Sequence, residues 1–261
     1  MFQSRLSAGI RIAIGLAIIA AAWQVATAVF HIPNYTLPAP SAIAAVMIKE
    51  WRPLLQNSLV TLLESGLGFG LSIVVSVPLG IVIVYSRWVE QVVYPFLVAS
   101  QAIPKVALAP IFVVWFGFGL LPKVLIAFFI AFFPIVVNTV VGMSRTPPEM
   151  IHLMRSLGAS PLQILLRVRL PSAAPYIFAG VKVAAAFAVV GAIVGEFIAA
   201  NSGLGYMQLV ADNNFQTDLL FGTLVALSVM GIALFYLVGV VEFLVLPRPL
   251  RQTRIEGGST L

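Results

Sequence analysis

Four stretches of this chain carry no charged side chain: residues 12–47, 65–86, 124–144 and 219–241. An α-helix rises about 1.5 Å per residue, so about 20 apolar residues cross the roughly 30 Å hydrocarbon core of a bilayer. Runs of that length point to membrane spans. Composition agrees: of 261 residues, 61% are hydrophobic and 9% charged, where a soluble domain carries about 25% charged residues. The 15 basic and 9 acidic side chains are too few to coat a water-soluble globule. Disorder requires low hydrophobicity. The absence of cysteine excludes a disulfide or thiolate–metal scaffold, and two histidines exclude a His-rich metal site. Transmembrane strands alternate in hydrophobicity over about 10 residues; these runs do not alternate, so the expectation is one all-α membrane domain.

Six spans follow from the pattern: about residues 12–30, 58–85, 92–115, 124–143, 176–200 and 219–246, the third interrupted by Pro104 and Lys105. The first has a cleavage-like Ala26-Thr27-Ala28, but its apolar stretch exceeds the about 7–15 residues of a signal peptide core, so it reads as a retained span. With six spans both termini share a side. Placing them in the cytoplasm puts ten basic residues inside (Arg5, Arg11, Arg87, Arg145, Arg155, Arg167, Arg169, Arg248, Arg251 and Arg254) and three outside (Lys49, Arg52 and Lys123). That is the positive-inside asymmetry. The longest inner loop is then 144–175. In the first outer loop Pro33, Pro38 and Pro40 keep the chain extended, and Ser41 is placed to cap a short interfacial helix over 42–51.

The loop 144–175 contains two helix starts. Thr146 with Glu149 three residues on has the form of a capping box, with Pro147 first in the helix; Ser160 with Gln163 and Pro161 repeats it. Gly158 between them is placed as a left-handed helix stop. Met150, Leu153, Met154 and Leu157 share one face of the first helix, and Leu162, Leu165, Leu166 and Val168 make the second apolar. Such a knob either packs back on the bundle or receives a partner.

The loop resembles the cytoplasmic loop of bacterial ABC importer permeases, whose pattern is E-A-A, three residues, G, nine residues, I, any residue, L-P. Gly158 is followed after nine residues by Val168, Arg169, Leu170 and Pro171; His152, Leu153 and Met154 depart from E-A-A. Further stretches resemble the nitrate/sulfonate/taurine group of these permeases, in order along the chain: Pro38-Ala39-Pro40-Ser41, Trp115-Phe116-Gly117-Phe118-Gly119, Phe132-Phe133-Pro134-Ile135, Pro171-Ser172-Ala173-Ala174-Pro175 and Ser202-Gly203-Leu204-Gly205-Tyr206. The resemblance implies a type I importer permease core of the bacterial inner membrane. It implies a second permease copy, often making a homodimer, two cytoplasmic ATPase subunits and an external substrate-binding protein, with no nucleic acid. Ser156, Leu157, Gly158, Ala159, Ser160 and Pro161 would form the coupling helix that sits in the ATPase. The substrates so implied are small polar organic solutes, sulfonate/nitrate/taurine-like or pyrimidine/flavin-type. The chain divides into 1–57, an N-terminal span and external segment; 58–247, the permease core; and 248–261, a basic cytoplasmic tail.

The resemblance also implies that ATP belongs to the partner subunit, and no G-x-x-x-x-G-K-[ST] run is present in this chain. No catalytic or metal-binding residue is assigned: His31 falls outside and His152 inside, so they cannot share a site. Ionisable and polar residues within spans are costly and mark functional candidates. Glu64, Gln101, Lys105, Asn138 and Glu196 are therefore candidates for the translocation path, with interhelical glue as the competing role. Lys105 is expected to face the path or to pair with Glu196 or Glu64, and Lys182 to snorkel to the inner surface. Gly66-x-x-x-Gly70 and Gly191-x-x-x-Gly195 are expected to be close-packing faces, within the chain or between two copies. A stand-alone secondary transporter or channel is the alternative function, but the halves show no convincing repeat and the loop would go unexplained.

Overall fold

The computed structural model of the chain describes residues 2–246, and the side chains within that range except those of residues 2–9, 12 and 13. The Arg5 side chain and Arg248, Arg251 and Arg254 lie outside the described residues. All regular structure described is helical: α1 Phe2–Val29, α2 Pro40–Lys49, α3 Trp51–Tyr85, α4 Arg87–Ser100, α5 Ala109–Phe116, α6 Leu120–Ser144, α7 Pro148–Ser156, α8 Pro161–Ile164, α9 Leu170–Ala199, α10 Leu204–Asn213 and α11 Thr217–Val245. A π-helical turn, Leu165–Arg169, joins α8 to α9, making one continuous helix of 39 residues, Pro161–Ala199. Pro171 has no N–H to offer the Arg167 carbonyl, and the backbone widens just before it.

Among the described residues four helices are long and apolar enough to cross a membrane: α3, α6, the continuous α8–α9 and α11. The expected third span is not straight. Its two halves, Arg87–Ser100 and Lys105–Phe116, meet at 91°. Pro104 takes an extended conformation and its ring blocks helix continuation, so α4 stops at Ser100 and a 3₁₀ turn, Lys105–Leu108, starts α5. In α1 the described apolar stretch is Ile14–Val29, shorter than a full crossing. It touches the bundle through Trp23, whose ring is 5.9 Å from that of Phe221 on α11.

The centre of the bundle is the α6–α9 pair, with α3 against α6 and α11 against α9. The packing is inverted relative to a soluble protein. On α3 the buried stripe is Thr61, Ser65, Gly68, Ser72, Ser76 and Gly80, while Leu59, Leu63, Leu67, Leu71 and Val74 are exposed. Hydrocarbon tails are as apolar as leucine, so helices gain by close approach of small residues and by interhelical hydrogen bonds. Ser76 donates such a bond to the Phe132 carbonyl of α6 at 3.1 Å. A Cβ on Gly191 would stand 2.5 Å from Ala127 Cα, and one on Gly195 2.9 Å from Lys123 Cα. That pair is therefore a packing face within the chain. Gly66 and Gly70 face open space; the close contacts on α3 are at Gly68 and Gly80 instead.

Two helix starts differ from expectation. The short outer helix begins at Pro40, and Ser41 is inside it, its N–H bonded to Gln24 Oε1 of α1 at 3.1 Å. The Thr146–Glu149 capping box does not form: Pro147 occupies the cap, and Thr146 Oγ1 turns back to the Met143 carbonyl at 3.0 Å.

Candidate functional site

Two places concentrate built polar geometry, and they lie at opposite ends of α9. The first is the loop between α6 and α9. α7 ends in a pair of capping bonds, Gly158 N–H to the Arg155 carbonyl at 3.0 Å and Ala159 N–H to the Met154 carbonyl at 2.9 Å. This is the double-bonded helix stop that needs a left-handed residue, and Gly158 supplies it with φ +77°. Two residues later the Ser160 capping box is complete: Gln163 N–H donates to Ser160 Oγ at 3.3 Å, and Ser160 N–H to Gln163 Oε1 at 2.8 Å. The bend Ser156–Leu157–Gly158–Ala159–Ser160–Pro161 is thus clamped on both sides and fused through α8 to α9. Its apolar face folds back on the bundle only in part: Val168 is buried and Met154 and Leu165 are half-buried. Met150, Leu153, Leu162 and Leu166 are exposed, and Leu157 at the tip is 73% exposed.

The second place is the far end of α9, around Glu196. Asn57, Thr61 and Glu64 follow one another on a face of α3 at spacing i, i+4, i+7. Thr61 Oγ1 donates to Glu196 Oε1 at 2.6 Å. Three successive backbone N–H groups at the start of α10 are then met in turn: Gly203 by Asn57 Oδ1 at 2.7 Å, Leu204 by Thr61 Oγ1 at 2.8 Å and Gly205 by Glu196 Oε2 at 2.5 Å. These are the free donors of a helix N-terminus, and a carboxylate suits that end of the helix dipole. The Gly-Leu-Gly sequence follows from the fit. Gly203 sits at φ +108°, and a Cβ on either glycine would run into the Glu196 side chain. Alongside, Lys123 of α6 forms a buried ion pair with Glu64, and Glu64 lies within electrostatic reach of Glu196.

The five path candidates therefore separate. Glu64 and Glu196 are each 1% exposed and hold helices together. Asn138 Nδ2 donates to the Pro134 carbonyl of its own helix at 2.8 Å, and Gly180 of α9 packs against its side chain. Gln101 and Lys105 are at the break between α4 and α5, Gln101 exposed and Lys105 half-buried. The Lys105 Nζ stands 4.5 Å from the centre of the Phe133 ring, a cation–π arrangement, and has no acidic partner among the described residues. The expected pairing of Lys105 with Glu64 or Glu196 is replaced by that of Lys123 with Glu64. Lys182, expected to snorkel, forms an ion pair with Glu242 of α11.

Sequence reasoning missed Lys123, Glu242, Thr61 and Asn57. The spacing of Asn57, Thr61 and Glu64 was a usable signal, a polar stripe on an otherwise apolar helix. Lys123 gave none, because it begins an apolar run and reads as a flanking anchor. Among the described residues no group of three His, Asp or Glu side chains is placed to hold a metal ion.

Residues 72–250 match the family described as binding-protein-dependent transport system inner membrane component. The chain is similar to a riboflavin transport system permease protein of Chloroflexus aurantiacus, 38% identical over 84% of this chain and 83% of that one. It is 37% identical to a formylaminopyrimidine transport permease protein of Halalkalibacterium halodurans, over 86% of this chain and 90% of that one. In fold it resembles a chain of the MetNI methionine ABC transporter in inward-facing conformations, with a TM-score of 0.68 over 76% of this chain and 99% of that one, at 19% identity.

Proposed function

The chain belongs to the family of binding-protein-dependent transport system inner membrane components, and from that premise we propose how its parts divide the work of an ATP-driven importer. It is a permease subunit with a type I importer fold. The bend from Ser156 to Pro161 is the element that docks in a cytoplasmic ATPase subunit. The observation that carries this reading is the exposed apolar tip on Leu153, Leu157 and Leu162, set on a bend clamped by helix caps. A stand-alone transporter has no use for it.

The mechanical consequence follows from connectivity. The bend continues without a loop into the 39-residue helix, so a push on the tip is passed along α9 rather than absorbed. α9 lies on α6 along its length, and its far end grips α10 through Glu196. ATP-driven movement of the tip therefore reaches the opposite face of the membrane through one rigid element. Two permease copies, as a homodimer, with two ATPase subunits and an external binding protein complete the assembly, in a bacterial inner membrane with both termini cytoplasmic. ATP hydrolysis belongs to the ATPase subunits and this chain performs none. Gln101 and Lys105 at the α4–α5 break line the path. The likeness to riboflavin and formylaminopyrimidine permeases supports a small nitrogen heterocycle of the pyrimidine/flavin type as the substrate, over a sulfonate.

The test is Gly158→Val. A Cβ at Gly158 meets no atom within 4 Å, so the harm is conformational: a β-branched residue at φ +77° costs on the order of 1–3 kcal/mol. The variant should reach the membrane in normal amount yet bind ATPase weakly, or leave ATP hydrolysis unlinked from uptake. Normal uptake with normal ATPase association removes the docking assignment.

A further inference from the structure

A cavity of about 190 Å³ opens between the bend and the inner end of α3, and its walls include Tyr85, Arg155 and Arg169 with Ile151 and Ile164. No carboxylate lines it, and neither arginine takes part in any ion pair among the described residues. The Arg169 guanidinium lies over the Tyr85 ring, 4.8 Å from its centre. Its Nε is buried and has no hydrogen-bond partner. A buried, charged donor left unmet costs more than an ordinary lost hydrogen bond, and two basic residues in the wall of one cavity with no acid among its lining favour an anion there. Arginine's planar fork matches phosphate oxygens in pairs.

The position says which phosphate. Tyr85 is the last residue of α3, and Arg87 and the exposed Trp88 follow at once. An aromatic and basic belt at a helix end marks the headgroup level of a bilayer, and anionic lipids draw arginines there. We propose that this cavity is a phosphate site filled by the headgroup of an anionic phospholipid. The cavity takes in Ala159 and Pro161 of the bend but none of the exposed leucines of its tip, and lipid bound there would brace the bend against α3. The site is read on this chain alone, and an ATPase acid seated on Arg155 would replace the lipid.

The test uses the full chain, purified from nanodiscs of phosphatidylcholine with phosphatidylglycerol, and counts retained lipid by native mass spectrometry. The unaltered chain should keep phosphatidylglycerol in preference to phosphatidylcholine, and excess inorganic phosphate should compete with it. Arg155→Gln removes a side chain that is exposed, so the fold should survive while retention falls roughly tenfold, the worth of one charge-assisted hydrogen bond. Arg87→Gln, at the same end but outside the cavity, should retain lipid normally. Equal loss in Arg87→Gln would show a diffuse charge effect and overturn the site. So would unchanged retention in Arg155→Gln. Binding of inorganic phosphate without lipid retention would overturn the lipid assignment, as would cross-linking of position 155 to an acidic residue of the ATPase in place of lipid.

Discussion

The buried pair of Lys123 and Glu64 shows how a single charge can change meaning between sequence and structure. Lys123 precedes an apolar run and counts with the outer basic residues, yet its side chain is 7% exposed and that of Glu64 1%. Removing one member of a buried pair leaves an uncompensated charge, about 3–5 kcal/mol. Lys123→Met should therefore lower the thermal stability of the detergent-purified protein severely, and Glu64→Gln added to it should recover most of the loss. An additive double variant would mean that the two side chains do not interact. Lys105 behaves oppositely because among the described residues it has no acid to abandon; its ammonium stands over the Phe133 ring. Lys105→Met should assemble with full stability and impair uptake. A stable, fully active variant removes Lys105 from the path. Lys105 and Glu64 were visible in the sequence as costly charges in apolar surroundings and Lys123 was not; which acid pairs with which base depends on where α6 meets α3.

At the scale of elements, the spans expected at 58–85, 124–143 and 219–246 were legible from charge-free length, and the bend at Gly158 from its turn and capping residues. Of the two glycine pairs, Gly191 and Gly195 pack within the chain, and Gly66 and Gly70 are left for a contact between copies or for lipid. Gly66 and Gly70 satisfy a four-residue spacing, but the buried face of α3 runs through Thr61, Ser65, Gly68, Ser72 and Ser76. Small and hydroxyl residues at helical spacing identify the inside of a membrane bundle better than any one pair of glycines, because the apolar majority belongs to the lipid side. The two glycine positions make a direct comparison. Gly191→Leu places a large side chain where even a Cβ would stand 2.5 Å from α6 backbone; it should force α6 and α9 apart and abolish recovery of folded protein, overpacking without room to relax. Gly66→Leu, with nothing within 4 Å of its Cβ, should leave the stability of the single chain unchanged, measured by the same thermal unfolding in detergent. Similar losses from both would contradict the packing described. The broken third span was legible at Pro104, though not its 91° angle, which the packing of α5 on α6 decides.

For the whole molecule the open question is which end faces the cytoplasm, and the helices reduce it to a choice between two. At about 1.5 Å per residue, a continuous 39-residue helix is about 58 Å long, ample for a bilayer with its headgroups. α6 ends at Ser144 beside the loop that opens this helix, and α10 ends at Asn213 beyond its other end. Positions 144 and 213 are therefore on opposite sides whatever the orientation. The arginines beyond α1 divide unequally between the ends: Arg87, Arg145, Arg155, Arg167 and Arg169 lie with Ser144, while the other end has Lys49 and Arg52, its third basic residue, Lys123, being buried in an ion pair. Basic loops stay on the cytoplasmic side, which predicts Ser144 inside. The chain has no cysteine, and Ser144 and Asn213 are both exposed, so single cysteines at each report orientation without background. In intact cells an impermeant thiol reagent should label Asn213→Cys and miss Ser144→Cys, and permeabilising the membrane should make both reactive. Labelling of position 144 alone in intact cells would invert the topology and place the apolar tip where no cytoplasmic ATPase can reach it.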